Sequence, residues 1–336
     1  MAISGYEQNY MTAVLEIMQH GSFQKNERTG IATKRIPHLE FRVDCDKECP
    51  ILKSKKVETK SAIDEMLWIF QKGSNDIHDL NSHIWDSWAN KDGIVEKTYG
   101  YQVKKTEQVH RLINELSADS SSRRGVLCLW DNEDLPDMGL VPCVYTSVWD
   151  VIDGKLHTMV VSRSCDLLVG GVFNIFQYYI FNRMIARHLG LTPGSMTFIA
   201  ADAHIYENQM EECKKQWNWY SLLLTVGQLL NEYGDNLTEE EVRDKIRLTA
   251  NAVKASKETI QNSADLRYYQ IYELVFDTMT ELDNQYPGLK LIDIYKSNPT
   301  CEFSETMSND FWEMKVEDVI LKDYQCMPKI KYNVAV

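Results

Sequence analysis

The segment from Pro142 to Asn174, PCVYTSVWDVIDGKLHTMVVSRSCDLLVGGVFN, constrains this chain more than any other stretch. Two runs rich in β-branched and aromatic residues flank Asp153-Gly154, a pair suited to the two-residue turn that matches the twist of antiparallel strands. The sequence therefore predicts a hairpin with strands over 143–152 and 155–163. Such a turn sets Cys143 opposite Ser164, with Arg163 one step away. A single bulge would bring Arg163 itself alongside Cys143. A guanidinium there would lower the thiol pKa, which singles out Cys143 as the candidate nucleophile among eight cysteines.

Beyond the hairpin, Gly170-Gly171 opens a helix near Asn174 that runs to about His188. Asn174 and Gln177 have the spacing of a capping box, with Asn174 as the cap. The alternative is recognition of a base, because a side-chain amide offers a donor and an acceptor that match N3–H and O4 of uracil.

The remaining cysteines, at 45, 49, 128, 165, 213, 301 and 326, form no CxxC pair. Only Cys45 and Cys49 lie close in sequence, without a second pair at zinc-site spacing, so free thiols and no metal are expected. A net charge of −13 without a long basic tract argues against general nucleic-acid binding. An anionic substrate would need a local arginine cluster. No apolar run reaches membrane-spanning length, and the first residues begin an amphipathic helix, not a signal peptide. The expectation is a cytoplasmic protein without membrane partners.

Apolar spacing predicts helices over 5–20, 58–72 and 107–117, and a mostly helical stretch over 207–285 with breaks at 231–236 and 262–265. Thr238 to Glu241 reads as a capping box. Strands are expected over 36–43, 125–130, 196–199 and 289–295. Glu65 sits within the apolar spacing of the second helix, either at its solvated edge or as a functional carboxylate. Trp85 and Trp88, three apart, read as core. Arg123-Arg124 precede a strand, either on the solvated surface or binding a phosphate or partner. The apolar, slightly basic tail 327–336 reads as a docked terminus.

In this order, Glu27-Arg28-Thr29-Gly30, Glu65-Met66-Leu67-Trp68, His83 to Trp88, Tyr99-Gly100, Ser122-Arg123-Arg124, Pro142-Cys143, Arg163-Ser164 with Asp166, Gly170 with Phe173-Asn174, Asp202 with His204 and Tyr206, and terminal Ala335-Val336 resemble the folate-dependent thymidylate synthase family. The Bacillus-type branch is the nearest in pattern. Each motif is weak singly; ten in the family's order are specific. The resemblance covers about 5–215 and 287–336, and leaves about 216–286 as a helical insertion in a single domain, 1–336.

The resemblance implies an α/β (α+β), three-layer fold around a large mixed β-sheet and a homodimer packed sheet to sheet. It implies reductive methylation of dUMP to dTMP, with 5,10-methylenetetrahydrofolate as one-carbon and hydride donor. Cys143 would attack C6 of dUMP, with Glu65, Tyr99, Asn174 and Arg163 as further catalytic residues. Arg28, Arg163 and Ser164 would hold the phosphate, joined by Arg123 and Arg124 from the other subunit. Asp166 belongs to the same dUMP site, Asn174 would read the uracil, and His204 and Tyr206 would bond the ribose. Lys55, Ile84, Trp85, Trp88, Leu140, Asp166, Phe173 and Val336 would form the folate cleft.

Val144 and Ser162 depart from most of the family as the Bacillus-type branch does. Gly171-Val172 replaces a usual proline, and Lys53-Ser54-Lys55 replaces a Thr-Thr-Lys stretch. The rival reading is a dUMP hydroxymethyltransferase, which adds water instead of hydride; Trp85 and the tail favour hydride transfer. A deoxycytidylate-using relative would carry Asp at position 174. A non-catalytic nucleotide- or RNA-binding relative is disfavoured by the complete catalytic set.

Overall fold

A computed structural model describes residues 3–25, 27, 29–256 and 263–334. In chain order its elements are α1 (Gly5–His20), β1 (Ser22–Lys25), β2 (Ala32–Asp44), α2 (Thr59–Phe70), α3 (Gly100–Lys105), α4 (Gln108–Ala118), β3 (Gly125–Cys128), β4 (Val144–Ile152), β5 (Lys155–Ser162) and β6 (Cys165–Asp166). There follow α5 (Val172–His188), β7 (Thr192–Tyr206), α6 (Met210–Tyr233), α7 (Glu239–Ser256), α8 (Ser263–Gln285), α9 (Leu291–Lys296), β8 (Thr300–Phe303) and β9 (Val319–Lys322). The large sheet has the order β1-β2-β7-β5-β4-β3, with β6 also paired to β7. It is mixed, because β5 and β6 run parallel to β7 while the other pairs are antiparallel.

Alternation across the strands defines the two faces of this sheet. The row Leu127, Ser147, Val160, Phe198 and Phe41 runs through paired positions of five strands and is buried. The neighbouring row contains Val126, Met159 and Arg42, all exposed in the single chain. Helix α5 covers the buried face and is itself buried almost all round, from Val172 to Ala186. Asn182 fixes it to β5 by donating to Leu156 O at 2.9 Å and Thr158 Oγ1 at 2.8 Å. Helix α2 lies against α5, with Phe70 stacked on Phe181 at 4.4 Å.

The hairpin turns as its sequence requires. Asp153 and Gly154 both have positive φ, +51° and +71°, as a type I′ turn demands. Pairing follows the register of that turn from Ile152–Lys155 to Thr146–Val161, then shifts by one so that Val144 faces Ser162. That irregularity is the bulge that sets Arg163 opposite Cys143, and the Arg163 N–H donates to Cys143 O at 2.8 Å.

Two local expectations are corrected. The segment 289–295 is not a strand: Leu291–Lys296 is helical and buries Leu291, Ile292 and Ile294. A short apolar run does not distinguish the two forms, and here the Glu239 carboxylate accepts the Ile292 N–H at 2.6 Å, satisfying a donor in the first turn. Asn174 is not a helix cap but the third residue of α5. A turn of π-helix over Leu167–Gly171 leads directly into that helix, so no capping residue is needed at 174. A Cβ at Gly171 would approach Cys165 Sγ to 2.8 Å, so a larger residue there would displace that side chain.

Helices α6, α7 and α8 pack on one another. The Thr238–Glu241 capping box is formed reciprocally, by bonds of 2.8 and 3.2 Å. The tail docks as far as it is described: Met327 N–H donates to Lys53 O, and the Tyr332 hydroxyl donates to Gln216 Oε1. Among the described residues no helix is long and apolar enough to cross a membrane.

Candidate active site

A cavity of about 920 Å³ opens where the C-terminal end of β5, the end of β7 and the start of α5 meet α2 and the loop carrying Trp85 and Trp88. Cys143, Glu65, Tyr99, Arg163, Ser164, Asp166, Asn174, His204 and Tyr206 all line it, as do Ile84, Trp85, Trp88, Leu140 and Phe173. They come from across the chain, and the sheet register together with the docking of α2 on α5 brings them together.

Cys143 is half-buried at the head of β4. Its N–H donates to the Tyr99 hydroxyl at 2.8 Å. Tyr99 adopts φ +32°, an unfavourable backbone for a bulky residue that costs of order 1–3 kcal/mol. Burial holds the Tyr99 hydroxyl well above its ordinary pKa, so it stays protonated at neutral pH. The Arg163 guanidinium wraps the same loop, donating to Pro142 O at 3.0 Å and Val141 O at 2.9 Å, and lies 5.7 Å from the Trp130 ring centroid. Burial pushes the thiols of Cys45 and Cys213 up to about 12 and that of Cys165, which also borders the cavity, higher still, so these three are poor nucleophiles.

Glu65 is not a solvated edge residue. Its Oε1 accepts from the Trp85 indole and its Oε2 from the Gln177 amide, each at 2.6 Å. Burial raises its pKa to about 7, with the two hydrogen bonds opposing and Asp64 adding to the rise. A carboxyl group that changes protonation near neutrality suits proton transfer. Trp85 is fixed in turn by Trp68, Trp88 and Tyr99, with ring centroids 5.5–5.6 Å away.

Asn174 donates to Gln177 Oε1 at 3.1 Å. Asp166 accepts from Leu168 N–H and from Gln209, and Gln209 also bonds Asn333 O at 2.9 Å, tying this wall to the tail. Burial raises the Asp166 pKa, opposed first by the Gln209 bond. His204 shares a 3.0 Å bond with Asp202, whose acceptor-only carboxylate places the proton on Nδ1 and leaves Nε2 as an acceptor in the neutral ring.

Lys55 lies beside this cavity and borders a smaller one of about 270 Å³ with Tyr332 and Phe173. Its amine is buried, donates to Leu168 O and sits 4.4 Å from the Tyr332 ring centroid. Burial lowers its pKa to about 7, with Asp166 opposing. Arg123 and Arg124 are exposed and do not line the large cavity; Arg124 pairs with Glu115 at 2.7 Å. The expectations for Arg28 and Val336 lie outside the described residues. Among the described residues no cluster of three or more His, Cys, Asp or Glu could hold a metal.

Arg35, Asp202 as an orienting group, Trp130 and the bridge that Gln177 makes to Glu65 carry no local sequence signal. Arg35 borders the cavity and pairs with Asp202 at 2.6 Å. Its signal was long-range: β2 pairs with β7 so that Arg35 faces His204.

A sequence model of the family described as thymidylate synthase matches residues 8–226. The thymidylate synthase of Clostridium beijerinckii is 40% identical over 217 residues, covering 64% of this chain and 82% of that protein. That of Bacillus licheniformis is 36% identical over 277 residues, covering 71% of this chain and 99% of the relative. The solved structure of the thermostable thymidylate synthase A from Bacillus subtilis superposes with a TM-score of 0.70 at 27% identity, over 98% of this chain and 99% of that one. A family match over more than half of the chain, with a relative 36% identical over 71% of it and a shared fold, places this chain in the thymidylate synthase family.

Proposed function

We propose that this chain converts dUMP to dTMP, with 5,10-methylenetetrahydrofolate supplying first a one-carbon unit and then a hydride. The observation that carries the reading is the half-buried Cys143 sharing one cavity with Glu65, Tyr99, Asn174 and the Arg163-Ser164 pair. In this reading the Cys143 sulfur attacks C6 of the pyrimidine and C5 becomes nucleophilic. Tyr99 and Glu65 move protons through ordered water, and the raised pKa of Glu65 supports that role. Arg163 and Ser164 bind the phosphate with Arg28, and Arg123 and Arg124 reach in from a second subunit.

Asn174 reads the uracil edge, and His204 and Tyr206 the ribose, with Asp166 in the same wall. The apolar side formed by Ile84, Trp85, Trp88, Leu140 and Phe173 receives the folate, with Lys55 and Val336 at its ends. Exclusion of water there favours hydride transfer over hydroxylation. The exposed sheet row with Val126 and Met159 supports a homodimer packed sheet to sheet. We read the chain as one cytoplasmic domain, with α6–α8 containing a helical insertion at about 216–286.

Product analysis tests the reading. Incubation with dUMP and methylenetetrahydrofolate should yield dTMP and dihydrofolate in equal amounts. Tetrahydrofolate with 5-hydroxymethyl-dUMP would instead establish the hydroxymethyltransferase.

A further inference from the structure

Gln177 stands on the second turn of α5 and joins three groups. Its Nε2 donates to Glu65 Oε2 at 2.6 Å and to the Ala62 carbonyl at 3.2 Å, and its Oε1 accepts from Asn174 Nδ2 at 3.1 Å. The direction of this chain is dictated by chemistry. A backbone carbonyl only accepts, so whatever the protonation of Glu65, the Gln177 nitrogen must face Ala62. Its oxygen must then face Asn174, and Asn174 must present nitrogen to it. The side chain of Gln177 is buried and its contact with Asn174 half-buried, so reversing either amide would set two acceptors against each other.

We propose that Gln177 is a positioning residue that sets base selectivity, by holding the Asn174 amide in the orientation that suits uracil and not cytosine. The proposal rests on Asn174 reading the base, as set out above. Uracil presents a donor at N3 and an acceptor at O4. Held by Gln177, Asn174 keeps its oxygen and one N–H for that edge. Cytosine presents the opposite pattern, an acceptor at N3 and donors at N4. Pairing with it would require Asn174 to flip and to set Oδ1 against Gln177 Oε1. The same glutamine stabilises ionised Glu65, so base selectivity and the protonation of Glu65 meet at one side chain.

The test compares dUMP and dCMP binding by calorimetry to the wild-type enzyme and to Gln177→Met, which keeps the volume and removes all three amide hydrogen bonds. Thermal unfolding serves as the folding control. The dUMP-to-dCMP preference should fall by about tenfold or more, on the order of the penalty for one unpaired buried polar group. The pH at which Glu65 titrates should rise in the same variant. Gln177→Glu keeps an acceptor towards Asn174 and should retain the preference while also raising the Glu65 titration. Should the methionine variant not fold, Gln177→Ala withdraws the acceptor and is predicted to lose the preference likewise. An unchanged preference in a folded variant without the acceptor would overturn the proposal. A wild-type enzyme that fails to prefer dUMP would instead overturn the reading of Asn174.

Discussion

The Trp85 indole donates to Glu65 at 2.6 Å, and the carboxylate it holds is raised by burial to a pKa of about 7. The native state therefore binds this proton more tightly than the unfolded chain does. Between the ordinary carboxylate range and about pH 7 the Glu65 contribution to stability falls as pH rises, and above that it is flat. Glu65→Gln should remove this slope, measured as the difference in Tm between variant and wild type across pH 4.5–8. Turnover should fall by about a hundredfold or more, the usual weight of a proton-transfer group.

Tyr99 accepts the N–H of Cys143 through its hydroxyl. Tyr99→Phe leaves that donor without its partner and should cost about 1–3 kcal/mol in denaturant unfolding. Turnover should fall more steeply than dUMP binding, because the change loosens the loop that carries the sulfur. Equal losses in both would mean that Tyr99 acts on substrate binding alone.

Lys55 has its pKa lowered to about 7 by burial beneath Tyr332. Here the unfolded chain binds the proton more tightly, so stability rises with pH from about 7 towards the ordinary lysine range. Lys55→Met should abolish that rise. Tyr332→Ala should weaken it by admitting water, and should raise KM for the folate more than that for dUMP.

Arg123 and Arg124 lie outside the cavity of their own chain, which agrees with a site completed by a second subunit. Mixing Arg123→Ala subunits with Cys143→Ala subunits should restore one working site per heterodimer. A mixture as inactive as its parents would show that Arg123 does not serve the partner's site.

The sequence made the hairpin legible to the level of register, because Asp153-Gly154 fixes the turn and the turn fixes the pairing. The bulge could be entertained but not located, since it depends on how Cys143 and Arg163 pack at the strand ends. Asn174 was placed at the right end of the right helix, yet the π-helical turn before it has no local signal and removed the cap role. The apolar run 289–295 fits either period, and the deciding partner, Glu239, lies in another helix. Arg35 and the link from Gln177 to Glu65 have no local signal for one reason: each acts through a residue distant in sequence, which sheet pairing or helix docking brings near. The motif residues themselves were legible because their order is specific to a family.

The central claim is that the sulfur of Cys143 bonds to the pyrimidine, and the most direct measurement is peptide mapping of the enzyme quenched in acid during turnover with dUMP and methylenetetrahydrofolate. The account predicts a peptide containing Cys143 whose mass is increased by the nucleotide with or without the one-carbon unit and folate, and no such peptide in Cys143→Ala. Turnover retained by Cys143→Ala, or the nucleotide found on another cysteine, would contradict it.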